Sequence, residues 1–310
     1  MHLGSTTEAP PATGTVGILT GGYNNGNDRH FGTEIYPVVS GCTLPPLPGP
    51  SEHSNQKTIA FVHKGRVTVC GEYDSDNSSC LMLDVKNQRW EKNLIGKMTA
   101  NRDLPATVSA ENVGTYLLGG RWRRTSDFLA SEATEWVVGP DLPFSWPCAV
   151  KISPLNLLVI YKDDIREYQV DPADPTNSLG WQPENTWPKL KISRSEMFGC
   201  ALTPDNKVVF AGGYMGSESV VISSSEILDL STRTTTIGGN MLGRRAYFHL
   251  ATITLGEMTK LFAIGGYWSA HSVKMFNPED NSWIHAPSTL EKPRRNYGKV
   301  IVPAELVCPI

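Results

Sequence analysis

Long apolar runs are missing from this 310-residue chain, and so is any block of one charge sign. No stretch approaches the roughly 18–20 apolar residues that cross a bilayer, which excludes a spanning helix. Lysine and arginine number 28 against 31 acidic residues, a formal charge of -3. No basic field gathers a polyanion, so nucleic acid is not an expected partner. Chemistry-bearing motifs are missing too. The seven histidines show no H-x-H or H-E-x-x-H spacing and the cysteines no C-x-x-C, so no metal ligand set is expected. Neither a G-x-S-x-G elbow, a P-loop nor a dinucleotide fingerprint occurs. The segment G-I-L-T-G-G-Y lacks the lysine and following helix that a phosphate site needs. No cofactor is expected, and no catalytic residue is assigned.

Glycine pairs, by contrast, recur. Four short apolar runs end in one: V-G-I-L-T-G-G-Y at Gly22, G-T-Y-L-L-G-G-R at Gly120, K-V-V-F-A-G-G-Y at Gly213 and K-L-F-A-I-G-G-Y at Gly266. Two weaker copies fill the gaps. R-V-T-V-C-G-E-Y carries Glu72 as its second residue, and N-L-L-V-I-Y-K-D carries Tyr161 and Lys162. The six positions lie about 50 residues apart, a period that belongs to repeat architectures. Each run is rich in Val, Ile, Leu and Phe and bounded by turn residues, which predicts buried strands rather than helices. Glycine at such a strand end admits neighbouring backbone and permits positive φ. After a loop, Leu83 leads to Trp90 and Phe276 to Trp283 across the turns D-V-K-N-Q-R-W and N-P-E-D-N-S-W. Asn, Asp and Pro set up a tight antiparallel connection there, and the indole is expected to cover the gap between neighbouring units. Trp181 after Tyr168 is a stretched copy, while E-I-L-D-L-S-T-R-T-T-T has no tryptophan.

Apolar strand, glycine pair, variable loop, aromatic strand, tryptophan and a Pro or Arg turn together resemble the kelch repeat over about residues 15–305. The resemblance implies an all-β, six-bladed β-propeller whose four-stranded antiparallel blades surround a central channel. R-R-N-Y-G-K-V-I-V-P reads as an innermost strand with no glycine-pair strand after it, and V-G-I-L-T-G-G supplies the missing partner. One closure blade is thus expected to be shared by both termini, its inner strand from 297–303 and its outer strands from 15–48. Residues 1–14, rich in Pro, Thr and Ser and without an apolar signal core, read as a disordered lead-in to one propeller domain over 15–310.

Six cysteines are compatible with disulfides, and their positions separate them. Cys70 ends one strand and Cys80 opens its hairpin partner, at bridging distance across a ladder. Cys42 and Cys308 both fall in the closure blade, where a bridge pins the ring shut. Cys148 and Cys200 occupy matching places in W-P-C-A-V and F-G-C-A-L, where small apolar side chains belong, and are expected as buried free thiols. Asn77 in N-S-S is the one glycosylation sequon, at the tip of the hairpin that Cys70 and Cys80 bracket. These features resemble secreted animal kelch proteins and point to an extracellular home; the missing signal core leaves a cytoplasmic one as the alternative.

Propeller loops vary freely on a rigid ring, so binding is expected on a loop face. After the glycine pairs come Tyr23 and Asn24, Tyr73, Trp122 and Arg123, Tyr214, then Tyr267 and Trp268. Turns leading into the inner strands add Arg102, Arg194, Arg244 and Arg294. Aromatic and arginine side chains anchor interfaces, and the positive charge suits acidic peptides, carboxylates or sulfated glycans. The expectation is a monomeric, non-catalytic module for a protein, peptide or glycan. Six-bladed kelch rings also resemble sugar mutarotases that work without metal; on that alternative Glu72 and Arg194 serve as acid, base or anion clamp in the channel.

Overall fold

Strand formation follows the apolar runs. In the computed structural model, which describes residues 14–24, 32–48, 58–71, 78–216 and 220–308, each run that closes a repeat is a strand. These are Thr15–Thr20, Arg66–Cys70, Gly114–Leu118, Asn156–Tyr161, Lys207–Ala211 and Met258–Ile264. Each is hydrogen-bonded on both sides within its own antiparallel sheet, and both of its faces meet a neighbouring blade. Continuous apolar sequence is the consequence.

The innermost strands are Ile59–His63, Ala106–Ala110, Cys148–Ser153, Gly199–Leu202, His249–Leu255 and Gly298–Pro303. Each touches the next, and the last touches the first, which closes a ring of six blades. We number the five uninterrupted blades first to fifth in this order. In the closure blade Gly298–Pro303 pairs with Thr15–Thr20, which pairs with Thr33–Tyr36, so the two ends of the chain build one sheet. Four blades have four strands; the closure and third blades have three among the described residues, the third adding a single bridge from Tyr168 to Trp181.

The core lies between blades. Six apolar clusters among the described residues fall one to each junction: Val16, Ile18 and Val302 of the closure blade meet Val67, Val69 and Leu83 of the first, for example. The tryptophans seal these seams. Trp90 stands opposite Leu83 and its Nε1 donates to Pro45 O of the preceding blade at 3.0 Å. Trp283, opposite Phe276, donates to Ser225 Oγ of the fourth blade at 3.3 Å. In the fourth blade Thr235 holds the tryptophan's place opposite Leu228, and Trp187 from the loop before that blade is buried in the same seam.

All six cysteines are paired. Cys70–Cys80 spans the ladder register, and Cys42–Cys308 closes the ring across 266 residues of sequence. Cys148 and Cys200 correct the expectation of free thiols: they form a third bridge, with Cα atoms 6.1 Å apart. Equivalent positions of successive inner strands are neighbours around the channel, a relation that only ring closure creates.

Glycine pairs act as foreseen. Gly213 has φ +86°, and a Cβ there would lie 2.6 Å from Phe198 Cβ and 2.8 Å from Glu196 O, where the chain enters the same blade's inner strand. Gly216 has φ +71° with open space around it. Gly213→Ala is therefore expected to lower stability by about 1–3 kcal/mol more than Gly216→Ala, the cost of overpacking beyond shared backbone strain. Urea unfolding of the two variants measures the difference; equal losses would remove crowding as the reason for this glycine.

Candidate partner-binding face

Successive turns of an antiparallel meander lie at alternate ends of the ring. The loops after the glycine pairs and the turns into the inner strands consequently share one end, which brings the foreseen face residues together. Tyr73, Glu72 and Asn77 lie outside the described residues.

Three of the foreseen arginines do not face outward. Arg102, Arg194 and Arg294 are buried, as is Arg245, and each Nη1 donates to the carbonyl of the first glycine of its blade's pair: Gly119, Gly212, Gly21 and Gly265, at 2.6 to 3.1 Å. Each also donates to a carbonyl just before the third strand, Thr125, Ser224, Gly32 or Ser272. The guanidinium thus clasps the turn that the glycine pair makes. Arg102 Nε reaches Asp127 at 2.8 Å and Arg294 Nε reaches Glu34 at 2.9 Å. In the fourth blade Glu226 instead accepts the N–H groups of Lys191 and Ile192, and burial pushes Arg194 down to about 10. The third blade lacks both pair and clasp: Lys162 takes a left-handed φ of 57°, and Phe144 stacks on Tyr161. Arginine and glycine pair occur together because each supplies half of one hydrogen-bonded turn. This correlation was the signal available in the sequence for an inward role.

Other side chains do converge on the face. Trp122 is 77% and Trp268 69% exposed, and Arg123 and Arg244 are exposed while Asn24 is half-buried. Arg295 lies over the rings of Tyr23 and Tyr267, 5.3 and 4.7 Å from their centroids. Arg121 lies against Trp122 and Trp146 at 5.9 and 5.8 Å, and those two indoles are 5.2 Å apart. Tyr214 meets Tyr247 edge-on, and burial pushes its hydroxyl up to about 12. Glu196 is also raised by burial, with Arg121 opposing. Cations held within about 6 Å of aromatic ring centroids are attracted by the ring's electron-rich face. Arg121, Trp146 and Tyr247 were not foreseen, because their place depends on the ring.

At the centre of this end the channel holds a cavity of about 170 Å³. Leu104, Trp146, Met197, Tyr247 and Asn296 line it; each stands just before an inner strand with a left-handed φ of 53 to 56°. Among the described residues no carboxylate and no arginine lines the cavity, and the cationic side chain on its wall is Lys299, beside His249. No group of histidine, cysteine or acidic residues among the described ones is arranged to hold a metal.

His249 Nε2 donates to Tyr297 O at 2.8 Å. Burial, with the Lys299 charge adding, pushes it down to about 3. The unfolded chain binds a proton near pH 6.5 that the folded ring refuses until about pH 3, so stability present above 6.5 is lost as pH falls through that window. His63, lowered by burial, acts in the same sense. His249→Gln is expected to flatten the acid loss by about 1.4 kcal/mol per pH unit; urea melts from pH 7 to 3 read this, and an unchanged slope would rule it out.

These features define the chain as a six-bladed β-propeller with an aromatic and arginine loop face. No protein-family model matches the chain, and no curated protein matches it.

Proposed function

We propose that this chain is a kelch-type, non-catalytic interaction module that binds an acidic protein or peptide through its aromatic and arginine face. The observation that carries the reading is the convergence of exposed Trp122 and Trp268 with Arg121 and Arg295, both held on aromatic rings, around the channel mouth. Large rigid rings and planar cations are the usual energetic anchors of an interface. Three disulfides fit an oxidising compartment and support an extracellular home. The mutarotase alternative has less support: Arg194 is buried in its clasp, and no carboxylate among the described residues lines the cavity.

An array of Asp- and Glu-rich peptides, with neutral and basic sequences as controls, tests the reading by fluorescence anisotropy. Acidic peptides are expected to bind preferentially, with Trp122→Ala and Trp268→Ala each weakening binding about tenfold or more. Lys86→Glu, in a turn at the opposite end of the ring, should leave affinity unchanged. Peptide binding indifferent to the tryptophans, or no acidic preference, would reject this face. A sulfated oligosaccharide binding in place of the peptides would move the partner to the glycan class.

A further inference from the structure

The inner strand of the closure blade brings Lys299 to the wall of the channel cavity. Its Nζ donates to Leu250 O at 2.8 Å, and no salt bridge to it occurs among the described residues. Strands packed against Gly298–Pro303 bring no carboxylate: Thr15–Thr20 has no titratable group, Ile59–His63 contributes His63 and His249–Leu255 contributes His249. An ammonium group without a counter-ion in a recess is poorly stabilised, whereas the free amine needs no anion. The cavity is close in size to the ~150 Å³ space that accommodates a benzene ring, and its walls combine apolar Ala60, Ala149 and Met197 with polar Asn296.

We infer that Lys299 makes this cavity a carbonyl-capture site, in which a small aldehyde or ketone condenses with the lysine amine as a reversible imine. The amine lone pair forms a bond to the carbonyl carbon, and a proton passes from nitrogen to oxygen to give a carbinolamine. A proton taken up from solvent lets the hydroxyl leave as water, which breaks the carbon–oxygen bond and leaves a protonated imine; no electron donor or acceptor is consumed. Burial supports the chemistry by bringing the lysine down from 10.5 to about 8. Near neutral pH this provides roughly two orders of magnitude more free amine than an exposed lysine has. The inference does not rest on the partner-binding reading, since it concerns the channel and not the loop face.

Reductive trapping tests it in the full, disulfide-intact chain. Glyoxylate with cyanoborohydride converts an imine into a stable secondary amine, and peptide mapping by mass spectrometry locates the added mass. At pH 7 Lys299 is expected to label at least tenfold faster than Lys64 or Lys86 in exposed turns, with its rate half-maximal near pH 8. Lys299→Arg should remove that label and leave the others. Because this variant alters the channel wall, wild-type protein in which benzaldehyde slows Lys299 labelling at fixed glyoxylate provides an independent check. Label spread evenly over exposed lysines, or Lys299 the slowest of them, would overturn the inference and leave Lys299 as a strut to Leu250. Acidic peptides binding normally to Lys299→Arg would keep the two proposals distinct.

Discussion

Arg102→Met is expected to cost about 3–5 kcal/mol, a large share of the roughly 5–15 kcal/mol by which an ordinary fold is stable. The Arg102 side chain is 1% and that of Asp127 0% exposed. Arg102 donates to both Asp127 oxygens, at 2.8 and 3.0 Å, and to the carbonyls of Gly119 and Thr125. Methionine fills much of the volume but leaves a buried carboxylate whose remaining described partner is the Thr99 hydroxyl, and two carbonyls lose their donor. Removing one member of a buried pair strands the other's charge, a larger penalty than the pair's own net contribution. The double change Arg102→Met with Asp127→Asn should therefore recover part of the loss. Arg245 provides a comparison inside the same molecule. Where Asp127 stands in the second blade, the fifth has Lys274, whose Nζ donates to His285 Nδ1 at 2.8 Å. Arg245→Met orphans no carboxylate and should cost less than Arg102→Met. Urea unfolding midpoints decide this; a larger loss at Arg245 would show that the carbonyl bonds, not the charge pair, dominate.

The second large effect is expected at the closure. Cys42→Ser with Cys308→Ser removes a cross-link spanning 266 residues, for which the chain-entropy account gives roughly 5–6 kcal/mol. Cys70→Ser with Cys80→Ser opens a loop of sequence separation 10, for which it gives roughly 3 kcal/mol. The ring should melt earlier in the first variant than in the second, with Cys148→Ser and Cys200→Ser between them at separation 52. The closure blade is where this matters most, because Thr15–Thr20 and Gly298–Pro303 are joined by strand pairing but belong to opposite ends of the chain. If the three variants lost the same amount, restraint of the unfolded chain would not be the source of the stabilisation, and strain or packing at each bridge would have to be.

Much of the candidate face was legible residue by residue, and the exceptions are instructive. Trp122, Trp268, Tyr23 and Tyr267 follow glycine pairs, and a strand end fixes the side of the ring on which the next residues emerge. The arginines obey the same placement rule yet serve the fold: Arg102, Arg194 and Arg294 turn inward because the glycine carbonyls would otherwise be buried without donors. Charge alone suggested a ligand; the accompanying glycine pair carried the contrary information. Arg121 escaped notice because its partner Trp146 belongs to the next blade, and sequence distance hides a contact across a seam.

By itself the sequence determined the local and periodic features: six strand-forming repeats, the glycine-pair turns and the blade shared by the two ends, with Cys70 and Cys80 set on one hairpin and Cys42 and Cys308 in one blade. Each follows from period, strand alternation or turn chemistry, which act over a few residues or repeat at a constant spacing. Tertiary structure decided what depends on closing the ring. It joined Cys148 to Cys200 across neighbouring blades, gathered Trp146, Tyr247 and Asn296 around one cavity, and set Lys299 on the cavity wall. It also chose which arginines face water. Those outcomes depend on burial and on distances between residues tens to hundreds of positions apart, and those distances exist only once six blades have packed against one another.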